Sequence, residues 1–315
     1  MQESECPLAI SPLHTPALHS PHPHFADMKP HLLPLARRIS AVGLAMLAVV
    51  ASAQFTAITD DFSTTGNLTG STPDSGVGSW TLISGTTGSI QVSGGSLTIN
   101  GAGTTEAAQV NFASSNLTSG TIYLGFDFNL ATQTISTTAS ASAIAGFRTG
   151  TAASGSYALG FATFRPGASS QSANSLPSTT TSQFDVGIFS GSSATISTAG
   201  TISGWASALN MGTTYRAVIG LNLTTDTASL WINPTSSGST SITLSAVAAD
   251  IRGVFLRQGA TSHGVVGMDN LAVSMDFNTA AAIPEPSTYA AIFGALALAG
   301  VALQRRRAKA IQSTN

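Results

Sequence analysis

The chain has 315 residues, a formal net charge of −2, and a composition that is 43% hydrophobic but only 8% charged. So few cations cannot build the basic face of a nucleic-acid binder, and the apolar share is too high for simple disorder. Cys6 is the sole cysteine, so disulfides within the chain are excluded and core packing must stabilise whatever folds.

Residues 1–27 are rich in proline and carry His14, His19, His22 and His24. They read as a metal-binding tract or as an extension ahead of a true start at Met28, and the second is the expectation. From Met28 the pattern changes. Lys29, Arg37 and Arg38 precede the apolar run 39–50, and Ala51-Ser52-Ala53 follows. A positive region, a short apolar core and an A-x-A site make a secretory signal peptide, here residues 28–53. Signal peptidase is expected to cut between Ala53 and Gln54. The run is too short for a permanent span of ~20 residues.

Residues 54–280 form the body. Its bases are Arg148, Arg165, Arg216, Arg252 and Arg257, against ten acids. Short runs of β-branched and aromatic residues alternate with Gly/Ser/Thr/Asn turns, the mark of an all-β, antiparallel β-sandwich or barrel. Strands are predicted over 80–83, 96–99, 107–112, 121–130, 142–148, 157–164, 183–189, 214–223, 228–232, 241–246, 251–257 and 269–277. Period two is clear in Ile122, Leu124, Phe126, Phe128 and Leu130, and again in Tyr215, Ala217, Ile219, Leu221 and Leu223. Ala228, Leu230 and Ile232 should return to the same core after a turn at Asp226, whose carboxylate can accept backbone N–H bonds. Pro234 ends that strand by removing a ladder donor.

The tail, residues 281–315, reads Ile283-Pro284-Glu285-Pro286-Ser287-Thr288, then an apolar helix over about 288–304, then Arg305, Arg306 and Arg307. The two prolines keep their segment extended. The arginines should remain cytoplasmic and hold the body outside.

Pro284, Glu285, Pro286, Ser287 and Thr288, the apolar helix and the Arg305–Arg307 cluster resemble the PEP-CTERM sorting domain of exported bacterial proteins over roughly the last thirty residues. The resemblance implies recognition in the inner membrane by an exosortase, cleavage near the Pro-Glu-Pro motif, and a Gram-negative host that makes extracellular polysaccharide. The protein is then transiently anchored before reaching the cell surface or matrix. The body resembles, more loosely, the concanavalin-like (laminin-G-like) jelly roll. That likeness rests on Asp60-Asp61-Phe62, on 215–223 with 229–234, and on Gly267-Met268-Asp269-Asn270-Leu271.

Within the body the chemistry is sparse. Glu106 is its only glutamate, so the paired acids that glycosidases need are not marked on any strand. There is no G-x-S-x-G elbow, and His263 is the only histidine between Gln54 and Ile283. No cofactor is expected. Asp60, Asp61, Asp269 and Asn270 offer hard oxygens that suit a structural Ca²⁺, but a role as turn and strand-end groups is the expectation for them. Trp231 and Tyr123 fall on the outward faces of their strands and are the candidate glycan platform, with Trp80 and Trp205 behind them. The expectation is therefore an exported, non-enzymatic surface or matrix protein, structural or glycan-binding. Its partners would be signal peptidase, exosortase and extracellular polysaccharide. The alternative is a carbohydrate-active hydrolase with an unmarked aspartate pair.

Overall fold

A computed structural model describes residues 54–100, 104–131, 143–164, 182–191, 202–245, 250–259 and 264–282. The expected signal peptide, Ala51, Ala53, the Pro284–Thr288 motif, the 288–304 helix, Arg305–Arg307 and His263 lie outside them. Among the described residues no helix is long and apolar enough to cross a membrane.

In chain order the strands are β1 (Ile58–Asp60), β2 (Gly66–Asn67), β3 (Thr81–Gly85), β4 (Ile90–Val92), β5 (Leu97–Asn100) and β6 (Glu106–Asn111). Then come β7 (Thr121–Leu130), β8 (Ala143–Arg148), β9 (Tyr157–Phe164), β10 (Gln183–Ser190), β11 (Ile202–Gly204) and β12 (Leu209–Asn210). The chain continues through β13 (Thr214–Asn222), β14 (Thr227–Ile232), β15 (Ile242–Ser245), β16 (Gly253–Gln258) and β17 (Val265–Ser274) to a short helix, α1 (Phe277–Ala281).

These strands make two antiparallel sheets. The first runs β15-β14-β13-β7-β17-β5-β4-β2, with β1 also on β17. The second runs β11-β10-β9-β8-β16-β6-β3, with β12 on β10. The predicted all-β sandwich is therefore present. The alternation read from β7 and β13 places its apolar residues in one buried core. Phe126 and Phe128 of β7 meet Phe161 of β9 edge-on, each with ring centroids 5.3 Å apart. Edge-to-face pairs of this kind lock the two sheets in register beyond simple area burial.

Strand β17 organises the first sheet. Its opening half pairs with β5, its closing half with β1, and its other edge with β7. A bulge between Asp269 and Ala272 separates the halves, with Asn270 at φ 49°. Such an irregularity twists a strand and re-aims its side chains.

Three local expectations are corrected. The last strand stops at Ser274 rather than 277. Asp276 there caps α1, its side chain accepting from the Thr279 N–H at 2.8 Å, which diverts the chain into a helix. At the β13–β14 turn it is Asn222, not Asp226, whose side chain accepts from the Thr224 and Thr225 N–H groups. Asp226 contributes instead by tolerating φ 52°. Strands β1, β2, β4, β11 and β12 are two or three residues long, too short for periodicity to reveal.

The second sheet carries an apolar layer on its outer face as well. Phe164, Phe189 and Phe255 are buried there with Ala143 and Ala162, apart from the main core. Glycines make the room: a Cβ at Gly160 would stand 2.6 Å from the Phe189 ring, and one at Gly187 3.2 Å from Phe164.

Candidate functional site

The expected platform of Trp231 and Tyr123 does come together on the outer face of the first sheet, but it is not open. Helix α1 lies over it. Phe277 meets Trp231 at 5.0 Å and Tyr123 at 5.4 Å, both edge-on, leaving Trp231 only 8% exposed. The cause is burial: an indole, a phenol and Val218 on one face form an apolar patch, and the helix covers it. Trp80 is buried too, its indole N–H donating to Asp60 at 2.8 Å. Trp205 packs half-buried against the main core.

The four oxygen-bearing candidates separate into two groups. β1 pairs with β17, so the first and last strands meet as expected, with Asp60 opposite Leu271. Asp60 and Asp61 lie with Asp74, their ligand oxygens within 4.8 Å of one another. Turn chemistry accounts for this arrangement. Asp60 accepts from the Phe62 N–H at 3.0 Å as well as from Trp80, and Asp74 accepts from the Asp61 N–H at 2.6 Å. Burial pushes the Asp60 carboxyl above its ordinary value, against the pull of those two bonds.

Asp269 and Asn270 belong to the second group. The bulge sets Asp269 directly opposite Asp127 of β7. Arg216 of β13 donates to Asp127 at 3.3 Å, to the Asn270 carbonyl at 2.6 Å and to the Ala280 carbonyl at 3.1 Å. Asn270 donates its side-chain amide to the other Asp127 oxygen at 2.8 Å. Asp127 and Asp269 line a hollow of about 190 Å³ with Ser96, Asn129 and Thr214. Burial raises the Asp269 carboxyl, and the nearby Asp127 and Asp61 charges add to that. An unmarked aspartate pair is thus present, made by register across two strands far apart in sequence.

A larger feature escaped the sequence reading. A cleft of about 670 Å³ opens where β3, β6 and the start of β16 meet, lined by Gln54, Thr81, Gln109, Asn111, Ser114 and Arg252 among others. Gln109 and Asn111 are two residues apart on β6 and share a face. Both side chains reach over Gly253, where a Cβ would stand 2.7 Å from each amide. Gln109 donates to Asn111 at 2.5 Å and to the Gly150 carbonyl at 2.9 Å, and accepts from Arg148 at 2.5 Å. Arg148 also donates to the carbonyls of Thr151, Ala152 and Gly155, and its guanidinium lies 5.3 Å from the Tyr157 ring. Its Nε is buried with no partner. Arg252 spends its Nε on the Ala113 carbonyl at 3.1 Å.

No carboxylate appears among the residues lining this cleft. The signal available in the sequence was two amides at i and i+2 in a predicted strand, together with the scarcity of arginine.

No protein-family profile and no curated protein matches the chain. Solved structures similar to it include a Trypanosoma rangeli sialidase in complex with sialic acid, at 14% identity and a TM-score of 0.39. That match covers 69% of this chain and 31% of the sialidase, so the chain spans about a third of that enzyme's length. An alginate lyase from Pseudomonas aeruginosa matches at 11% identity and a TM-score of 0.35, over 62% of this chain and 81% of the lyase. These similar structures are sialidases and an alginate lyase, and the expectation that the body is not an enzyme is withdrawn. A likeness of this size assigns neither a reaction nor a site residue to the chain.

Proposed function

We propose that the chain is an exported cell-surface or matrix protein whose β-sandwich engages polysaccharide in the cleft of Gln109, Asn111 and Arg252. The observation that carries this reading is the cleft itself. Its lining includes amides, hydroxyls and a guanidinium, groups that suit a polyhydroxylated chain. Delivery rests on the two terminal patterns. Signal peptidase cuts after Ala53, the apolar tail holds the body at the inner membrane, and an exosortase acts near Pro284–Pro286.

Two measurements test this. Intact mass of the protein from a Gram-negative host should show a species that begins at Gln54 and ends near Pro284. A membrane-bound chain still carrying Arg305–Arg307 would remove the sorting step. Affinity electrophoresis against a panel of polysaccharides should show retardation that Asn111→Ala weakens about tenfold, the loss of one or two hydrogen bonds to a sugar. Retardation unchanged in that variant would place binding elsewhere.

A second reading is favoured by the Asp127–Asp269 pair. Residues directly opposite in an antiparallel ladder hold their Cβ atoms about 4.5–5.5 Å apart, which brings both carboxyls to one hollow, as paired-acid glycoside chemistry requires. Burial raises the Asp269 carboxyl, the direction a general acid requires, while Arg216 and Asn270 hold Asp127 in place. Release of reducing ends from the bound polymer, abolished in Asp269→Asn and Asp127→Asn alike, is the expected result on this reading. Turnover that survives both substitutions would discard the pair.

A further inference from the structure

The lining of the large cleft holds one cation, Arg252, and no carboxylate. Arg252 commits its Nε to Ala113, and its two terminal nitrogens have no acceptor among the described residues. The Asn111 carboxamide oxygen is taken by Gln109, which leaves its NH₂ group to donate. Gln109 is fully used, its NH₂ by Asn111 and Gly150 and its oxygen by Arg148.

Charge points the same way. Arg148 stands directly behind Gln109, is only 5% exposed and bonds neutral groups alone. The strand ladder puts the two arginines side by side, the Arg252 N–H donating to the Arg148 carbonyl at 3.0 Å. Among the described residues the single ion pair is Arg216 with Asp127, on the other sheet. Both sheets carry acids, Asp60, Asp127 and Asp269 on the first and Glu106 and Asp185 on the second, but none of them lines the cleft. A net-negative body thus keeps two uncompensated cations at one cleft. An unpaired guanidinium near low-dielectric protein costs free energy that an anion would recover. A guanidinium with two free terminal nitrogens is shaped for a carboxylate.

We propose that the cleft takes an acidic polysaccharide, with a uronate carboxylate seated on Arg252 and a neighbouring hydroxyl or ring oxygen accepting from Asn111. The inference rests on the glycan reading above and names its ligand class. Cleavage after Ala53 would add to it, because Gln54 lies in the same lining and its α-ammonium would be a further cation there.

The test uses the exported chain as recovered from a Gram-negative host and two probes, polygalacturonate and the same polymer after reduction of its carboxyl groups. Binding by affinity electrophoresis should be at least tenfold tighter to the acidic form and should weaken as salt rises. Arg252→Gln should lose that preference, and Arg252→Lys should restore part of it, with thermal melting unchanged in both. If Arg252→Gln does not fold, the comparison of the two polymers on the unaltered chain decides alone. Equal binding to both polymers, weakened by Asn111→Ala, overturns the acidic-ligand inference and leaves the glycan reading standing. Binding to neither, nor to any other polysaccharide, removes both.

Discussion

Glu106 shows how a single residue can look catalytic and be structural. Its side chain is buried at the start of β6 without a cation beside it. Oε1 accepts from the Thr69 hydroxyl at 2.6 Å, and Oε2 accepts from the N–H groups of Gly88, Ser89 and Ile90 at 2.7–3.0 Å. Four donors replace water around the charge, which is the condition for burying it at all. They also tie the β3–β4 turn to the second sheet. Glu106→Ala should therefore leave three backbone donors unsatisfied and cost about 3 kcal/mol or more in urea unfolding. Glu106→Gln keeps acceptor and shape, and should cost only about 1 kcal/mol as its bonds lose their charge assistance. Equal costs for the two would mean that the donors find other partners. Arg216 plays a comparable part on the first sheet, joining β13, β7, β17 and α1 through Asp127 and two backbone carbonyls.

Among the elements, α1 is five residues long yet decides what the first sheet shows to solvent. It buries Phe277, Ala280 and Ala281 against Val218, Trp231 and Tyr123. Arg216 clamps its end through the Ala280 carbonyl, and a Cβ at Gly125 would stand only 1.8 Å from that oxygen. The contact therefore requires a glycine at that point of β7. A chain ending at Ser274 should melt several degrees lower than one ending at Ala282, with a red-shifted tryptophan emission as Trp231 meets water. Losing Phe277 burial alone is worth about 1.5–3 kcal/mol. No difference in melting between the two chains would show that the helix merely rests there. The same element explains why the aromatic pair was legible as outward-facing but not as covered. Strand alternation gives the face of a side chain, while the helix begins at Phe277, 46 positions past Trp231 and beyond any local pattern.

For the whole molecule, the distribution of acids sets the response to pH. Burial raises the carboxyls of Asp60 and Asp269 above the ordinary 3.8. A carboxyl that binds its proton more tightly when folded adds stability as pH falls through its raised value. Asp61, bonded to Ser63 and Asp74, and Asp276, bonded to Thr279, are lowered below 3.8. Their contribution is present above 3.8 and is lost as pH falls through their folded values. Relief of self-repulsion in a body with ten acids and five arginines adds to the first effect. Melting temperature should accordingly rise from neutral pH toward about 4 and fall below it. Asp269→Asn should flatten the rise. A steady fall from neutrality downward would contradict this account.

What the sequence determined by itself was whatever repeats over short range. Alternating apolar residues specified β7 and β13 because a strand shows opposite faces to core and solvent. The leader and tail patterns are likewise contiguous runs of charge, apolar residues and proline, and the export and sorting expected from them rest on the sequence alone. The tertiary structure alone decided which faces stay open and which groups meet. Asp127 and Asp269 are 142 positions apart and face each other only through the β7–β17 register. Arg148 and Arg252 become neighbours only because β8 and β16 are paired. Trp231 is closed off by a helix, and Gln109 packs in the space that a glycine on the adjacent strand leaves. Composition can supply those residues, but only long-range pairing, fixed by burial of the common core, places them.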